Sequence, residues 1–350
     1  MYRYLFFLAL LILATACQPK PLLPPSTLFE GQQIDFNQTL STIALGSCNR
    51  QNLPQDMWPT IASHDPQLWM WMGDNIYGDS EDMTVILEKY QKQKGGEAYS
   101  QFQNKIPIIG VWDDHDYGVN DGDKNFPKKK ETKQLMMDFL DVPLNDISRK
   151  RPGAYQSYTF GEKGKRVKII LLDGRYFRDE LQPDPSEDKR YIVNETGDML
   201  GEAQWKWLEE ELTKSNAQVH LIACGIQFIP EEQIYEKWAN FPAARDRFFK
   251  LLQKTKPAHT LLLSGDRHIS ELSKMELEGL PYPLYELTAS GMTHTWSLGG
   301  SEPNQYRVGD LIVALNFGLI QIDWSQEKPS LTVEIRGNDD TSLLKEQLKW

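Results

Sequence analysis

Cysteine, long basic tracts and sustained apolar runs are what this sequence has little of. Three cysteines among 350 residues are too few for the dense disulfide framework of a small secreted domain. The formal net charge is -11, and no Lys/Arg tract is longer than the KKK at 128–130. The basic footprint of a nucleic-acid-binding surface is therefore missing. The apolar stretch Leu5 to Leu13 is too short to cross a bilayer. No segment repeats at solenoid spacing. A P-loop, a GxSxG elbow and a zincin HExxH are also absent.

What is present begins at the N-terminus. MYRYLFFLALLILATAC carries one Arg, then the apolar stretch, then small residues before Cys17. That order reads as a signal-peptide core over residues 1–16. LATAC resembles a bacterial lipobox, which would make Cys17 the lipidated first residue of the mature chain. An ordinary secretory cleavage is the plainer alternative. Gln18 follows rather than Asp, a pattern resembling lipoproteins sorted to an outer membrane. Residues 17–40 then read as a Pro-rich tether, and 41–350 as a single domain. The expected location is the bacterial cell envelope, lipid-anchored. The two remaining cysteines, Cys48 and Cys224, either pair or serve separately, Cys224 as a small buried hydrophobe.

Beyond the tether one pattern recurs: apolar run, polar cluster, helical stretch. The runs are STIALGSC (41–48), PQLWMWMGD (66–74), KIPIIGVWDD (105–114), VKIILLDGR (167–175), QVHLIACGIQ (218–227) and AHTLLLSGDRH (258–268). Such continuous apolarity predicts strands buried on both faces. Helices are expected over 81–94, 128–141, 201–214 and 242–255. The alternation indicates an α/β fold with parallel pairing. YPLYELTAS, LIVALNFGLIQID and SLTVEIRG read as antiparallel strands completing a second sheet. Segment 116–153, charged and rich in Asn, Asp and Lys, is expected to be an excursion over the site rather than core.

The strand ends carry the chemistry. They are Ser47-Cys48-Asn49, Asp74-Asn75 with Tyr77, Asp113-Asp114-His115-Asp116, Asp173 with Arg175, and Asp266-Arg267-His268. One polar cluster is an ordinary cap; five, at the ends where α/β sheets bind ligands, indicate one convergent site. Clustered carboxylates without cations repel one another. A dinuclear metal site removes that repulsion and lets an acidic protein hold phosphate. DGDKN (121–125) starts like an EF-hand loop, but Phe126 stands where Gly is needed and Thr132 where Glu is needed, so a solvated loop is expected.

GSCN (46–49), GDNIY (73–77), WDDHDYG (112–118) and SGDRH (264–268) occur in the order of the metallophosphoesterase motifs. These variants resemble the alkaline phosphatase D (PhoD-like) branch, as do LDGRYFR and GEAQWKWLEEEL, over roughly residues 42–295. The resemblance implies a four-layer αββα sandwich with two mixed central sheets. It implies phosphate mono- or diester hydrolysis through a metal-activated water, with Fe3+ and Ca2+ as cofactors; other divalent metals are compatible. By the same resemblance Asp74 is the bridging carboxylate, and Cys48, Tyr77, Asp266 and His268 are ligands. Asp114 binds the second metal. His115 is the general acid or transition-state donor, oriented by Asp116. Arg175 clamps phosphate, and Asn120 adds a phosphate or calcium contact. Asp113 reads equally as ligand or cap. The superfamily's middle His is not evident, and Gln227 in CGIQF stands in that stretch. His294 is not counted as a ligand. Two other readings remain open: a non-catalytic calcium-binding surface lipoprotein, and the same fold acting on phospholipid or phosphotriester substrates. The expected partners are a phosphate ester and, through the lipid, a membrane. A monomer is the default.

Overall fold

The computed structural model describes residues 32–186, 190–296 and 302–350. The signal-like stretch, Cys17 and most of the tether lie outside the described residues. The chain runs β1 (Thr42–Gly46), α1 (Met57–Ser63), β2 (Leu68–Met72), α2 (Met83–Lys94), α3 (Glu97–Gln103), β3 (Ile108–Val111), α4 (Asp114–Tyr117), α5 (Lys129–Phe139), α6 (Ile147–Lys150), β4 (Gln156–Phe160) and β5 (Val167–Leu171). A short ribbon follows, β6 (Gln182–Pro183) and β7 (Tyr191–Ile192), then α7 (Gly201–Thr213), β8 (Val219–Ala223), α8 (Pro242–Thr255) and β9 (Thr260–Ser264). The remainder is β10 (Ser270–Met275), β11 (Leu284–Thr288), β12 (Arg307–Ile312), β13 (Asn316–Asp323), β14 (Ser330–Gly337) and β15 (Ser342–Gln347).

Two mixed sheets result. The first has the order β15-β14-β13-β1-β2-β3, the second β12-β10-β11-β9-β8-β5-β4. The six apolar runs divide between them, with β1, β2 and β3 parallel in one and β5, β8 and β9 parallel in the other. Side-chain alternation shows how the layers form, because successive residues of a strand face opposite sides. Ile43, Leu45, Leu68, Met70 and Met72 of the first sheet share one core with Val167, Ile169, Leu171, Leu221 and Leu263 of the second. The intervening Ala44, Trp69 and Trp71 face outward, into a second core that contains Trp58 of α1, Tyr90 of α2, Tyr99 of α3 and Phe139 of α5. Ile170, Ile222 and Leu262 face α7 and α8 on the other side, meeting Trp205, Leu208, Phe248 and Leu252. Helix, sheet, sheet, helix: the four expected layers follow from which residue of each strand is apolar.

Three expectations change. The three C-terminal segments do not share one sheet. β10 turns the chain back, so β11 rises parallel to β9, while β13 and β14 join the first sheet antiparallel beside β1. Segment 116–153 is not merely an excursion. Its helix α5 buries Leu135, Met136, Met137 and Phe139 in the outer core of the first sheet, because its apolar residues recur at helical spacing. Its Lys133 and Asp138 are buried too, Asp138 in an ion pair with Arg149. The packed domain also begins before Ser41. Leu40 is fully buried, and the Phe36 ring stacks on Tyr158 with centroids 6.1 Å apart. Among the described residues no helix is long and apolar enough to cross a membrane.

Trp58 is the hub of the outer aromatic core. Its ring lies 5.1 Å from Trp69, 5.5 Å from Trp71, 4.8 Å from Tyr99 and 5.1 Å from Phe102. Trp58→Ala should lower the unfolding free energy by about 3–5 kcal/mol, read from the midpoint of a urea titration. A loss below about 1 kcal/mol would mean the cluster does not tie α1 and α3 to the sheet.

Candidate metal centre

The parallel strands of both sheets end at the same edge of the sandwich, and the chain must turn sharply after each. At several of these ends the turn passes through left-handed backbone at a residue bearing a donor. Cys48, Asp74, Asp266 and His268 have φ of 59, 51, 64 and 54°. L-residues pay for this conformation, and it clusters at functional sites. The two sheet edges also approach closely. A Cβ on Gly265, after β9, would collide with the Met72 carbonyl of β2 and the Ser47 side chain beyond β1. A Cβ on Gly225, after β8, would collide with the Asp113 carboxylate beyond β3. Glycine at these two positions lets the ends of one sheet reach those of the other.

Two donor groups form there. Ligand atoms of Cys48, Asp74 and His268 all lie within 4.8 Å of one another, as do those of Asp74, Asp114 and His115. Asp74 belongs to both, the placement expected of a bridging carboxylate. Its Oδ2 is 3.6 Å from the Cys48 thiol, and its Oδ1 accepts from the His115 backbone N–H at 3.4 Å. The Tyr77 hydroxyl completes the first group, 2.9 Å from Nε2 of His268 and 2.9 Å from Nε2 of His294. Asp266 stands outside both close groups, yet its charge acts on Cys48 and Asp74. Cys48 and Cys224 are both free and buried, so the thiol of Cys48 is available as a donor.

The electrostatics are those of anions lacking a counter-charge. Burial, then the neighbouring Asp266, pushes the Cys48 thiol up to about 12. Burial, then Cys48, Asp114 and Asp266, holds the Asp74 carboxyl well above the usual carboxylate range. Burial and the Asp114 charge push Asp266 up to about 7. Tyr77 rises through burial and the Asp74 charge. Burial, followed by His294 and His115, pushes His268 down to about 3, leaving a neutral imidazole of the kind that ligates metal. Asp114 is the exception. Although burial opposes ionisation, His115, Arg175 and the Asp121 N–H bring it down to about 2. The donor set therefore fits metal cations, which would cancel the repulsion and deprotonate the thiol and phenol. An independent sign is that Asp114 Oδ1 and Asn75 Oδ1 are buried with no hydrogen-bond partner, although buried polar atoms normally have one.

Other expected roles are redistributed. Arg175 does not face an open pocket. It is fully buried, paired with Asp113 and with Glu236 at 2.6 Å. Glu236 also pairs with the buried Arg178 at 2.8 Å. Arg175 Nε donates to Asp113 Oδ1, whereas both Glu236 oxygens and Arg178 Nε lack hydrogen-bond geometry, so the attraction about Glu236 is mainly coulombic. Arg178 also donates to the Asp121 and Gly122 carbonyls at 2.6 and 2.8 Å, pinning the loop whose Asp121 N–H holds Asp114 at 2.7 Å. Asp116 does not orient His115. Its carboxylate accepts from the backbone N–H groups of Asp113 at 2.6 Å and Asn75 at 3.2 Å, reciprocating an N-cap at Asp113. His115 is held instead by Asp79, 2.6 Å from Nδ1. Asn120 is exposed and donates to Asp121 at 2.7 Å, not toward the donor groups. Gln227 is bound to Glu271 and Thr288 and takes no part in either group.

Several participants carry weaker signals in the sequence. Asp79 ends GDNIYGD, two residues past Tyr77, and only the fold shows that it meets His115. Ser290 Oγ lies 3.0 Å from the Cys48 thiol and accepts from the His268 N–H at 2.8 Å. His294 faces the site, its ring 4.4 Å from that of His268. Arg50, exposed, places its guanidinium 4.5 Å from the Tyr77 ring centroid. Glu236 has no motif around it.

Two facing mixed sheets, with carboxylate, thiol, phenol and imidazole donors gathered at one edge and a carboxylate common to two groups, define the metallophosphoesterase class of α/β sandwich. Within that class the chain belongs to the PhoD-like phosphatase family, whose sequence profile matches residues 43–295. Alkaline phosphatase D of Bacillus subtilis (strain 168) is 25% identical over 244 residues, a match that covers 62% of this chain and 41% of that protein. The chain thus spans under half the length of that relative. Among solved structures, PhoD superposes with a TM-score of 0.67 at 17% identity, over 89% of this chain and 69% of that one. A dimetal phosphatase from Danio rerio superposes at 0.54 and 10% identity, over 89% of this chain and 100% of that one. These likenesses establish the shared fold.

Glu236→Ala removes the counter-charge shared by two buried guanidinium groups. It should cost about 3–5 kcal/mol of stability, the usual penalty for stranding a buried charge, measured by urea unfolding. A change within about 0.5 kcal/mol would show that Asp113 and the loop carbonyls suffice for both arginines.

Proposed function

We propose that this protein is a metal-dependent phosphoesterase that hydrolyses phosphate mono- or diesters. The observation that carries the reading is the place of Asp74 in both donor groups. Cys48, Asp74, Tyr77 and His268 would hold one metal; Asp74 and Asp114, with Asp266 nearby, would hold the other. A thiolate and phenolate set suits Fe3+, and an oxygen-rich set suits Ca2+. Bound, the metals would supply Lewis acidity, a lowered pKa for water, and positive charge for the phosphoryl oxygens.

The chain's own residues contribute orientation and proton donation. Burial disfavours the imidazolium of His115, but Asp114 and Asp79 outweigh it, so its pKa is raised. With Nδ1 engaged by Asp79, the opposite nitrogen is left to donate to a phosphoryl or leaving-group oxygen. Asp79 thus takes the positioning role expected of Asp116. Arg175 acts within the protein by compensating Asp113 and Glu236. Arg50, exposed at the mouth and resting on Tyr77, is a better candidate than Arg175 for touching phosphate.

With iron and calcium supplied, Asp74→Asn should lower kcat/KM on an aryl phosphate by more than about 100-fold, since even an outer-shell partner of a ligand costs 10–100-fold. Elemental analysis should show loss of both metals. Tyr77→Phe should abolish the visible charge-transfer band expected of ferric phenolate. Full activity in Asp74→Asn would overturn the reading.

The envelope location rests on LATAC. Cys17→Ala should move the protein from the membrane fraction to the soluble fraction and remove the fatty-acyl mass from its N-terminus; unchanged partitioning would refute lipidation.

A further inference from the structure

Beside the first donor group stands an aromatic wall that core packing does not explain. Trp296 is 37% exposed, and its ring lies 5.3 Å from that of the candidate ligand His268. Its backbone N–H donates to the His268 carbonyl at 3.1 Å, which fixes the indole at the edge of the site. Tyr235 stacks on Trp296, with centroids 5.8 Å apart and planes 21° from parallel. Neither ring belongs to any of the three cores. Tyr235 is half-buried and Trp296 exposed; an exposed indole stacked on a second ring beside a donor group is suited to recognition, since Trp and Tyr present large amphipathic faces.

The wall reaches both donor groups. The Arg267 guanidinium lies 4.4 Å from the Tyr235 centroid, and that of Arg190 lies 6.0 Å away. Arg190 also pairs with Asp121 at 2.7 Å, and the Tyr191 hydroxyl donates to the same carboxylate. The Asp121 N–H in turn holds Asp114. Contacts thus run unbroken from His268 through Trp296, Tyr235, Arg190 and Asp121 to Asp114. These contacts border one side of the two donor groups, with Arg190 paired to Asp121 and Arg267 to Glu302.

We propose that this wall is the subsite for the organic group of the substrate, and that it selects phosphate esters of planar aromatic groups, aryl or nucleobase. The inference rests on the phosphoesterase reading above. The phosphate occupies the metal centre while the ring stacks on the exposed part of the Trp296 indole. Arginines behind Tyr235 orient the stacked rings through cation–π attraction. Aliphatic esters gain nothing from such a surface, whereas a stacked base gains about tenfold or more in affinity.

The test compares inhibition of the metal-loaded full chain by adenosine 5′-monophosphate, 1-naphthyl phosphate, glycerol phosphate and inorganic phosphate. Trp296→Ala should weaken inhibition by the two aromatic compounds about 10-fold relative to inorganic phosphate, with the glycerol phosphate ratio unmoved. Trp296→Phe should restore most of the aromatic preference, which a merely structural defect would not. Weakening of the nucleotide alone narrows the occupant to a nucleobase, and of the naphthyl ester alone to an aryl group; either supports the subsite. If wild type hydrolyses esters but the aromatic ratios stay the same in Trp296→Ala, the subsite is refuted and the phosphoesterase reading stands. If wild type neither hydrolyses esters nor binds inorganic phosphate, the phosphoesterase reading falls and takes the subsite with it.

Discussion

Mutual repulsion among buried acidic groups is the constraint around which this molecule is organised. Asp74, Asp113 and Asp114 are buried with the Cys48 thiol at the meeting edge of two sheets, where low dielectric makes each like-charge contact costly. The fold answers part of that cost itself. Arg175 and Arg178 enter from beyond β5, and Glu236 is placed between them. Arg175 draws both Asp113 and Asp114 down, but only Asp114 ends below its usual range; burial still holds Asp113 well above it, and Asp74, Cys48 and Tyr77 also stay far from their ionised forms. The deficit includes the place where two donor groups share one carboxylate. Cations bound there would relieve it.

The surrounding architecture keeps these groups in place against that repulsion. Backbone turned left-handed at Cys48, Asp74, Asp266 and His268 is strained, and such strain survives only where the neighbourhood over-determines it. Here the neighbourhood is the double sheet. Its inner core is built from alternate residues of strands on both sides, and Gly225 and Gly265 allow the two edges to touch. The Asp116 carboxylate ties the loop after β2 to that after β3. Ser290 ties the loop after β11 to Cys48 and His268. Rigid elements thus present the donors, while Arg50, Arg190 and Trp296 stay more exposed at the mouth.

Family membership and residue geometry carry different parts of the argument. The profile match over residues 43–295 says which family the chain shares its ancestry with, and the superpositions show how widely this sandwich is used. Neither says what surrounds the metal centre in this chain. The Asp79–His115 pair, the buried pair of arginines about Glu236 and the Trp296 wall come from its own side chains. The same motif can therefore sit in a differently shaped mouth, and substrate choice is decided in that mouth.

Much of the fold was legible in the sequence because local patterning decides it. Near-continuous apolar runs marked the parallel strands, the helices between them fell where expected, and polar clusters at strand ends announced a convergent site. Cys48, Asp74, Tyr77, Asp114, His115 and His268 could be picked out because each sits at a fixed offset from the strand that carries it. Partners from distant segments could not. Whether Arg175 meets phosphate or Asp113, and whether Asp116 or Asp79 holds His115, depends on which loops the two sheets bring together, and no periodicity records that. Nor could the α5 segment be recognised as core, since charged residues dominate its composition and only the fold shows Lys133 and Asp138 buried beside the apolar ones. The sequence by itself determined the strands, their ends and the donor types. Tertiary structure alone decided which donors come together, which charges are paired within the protein and which rings border the site, because those outcomes depend on distances between residues far apart along the chain.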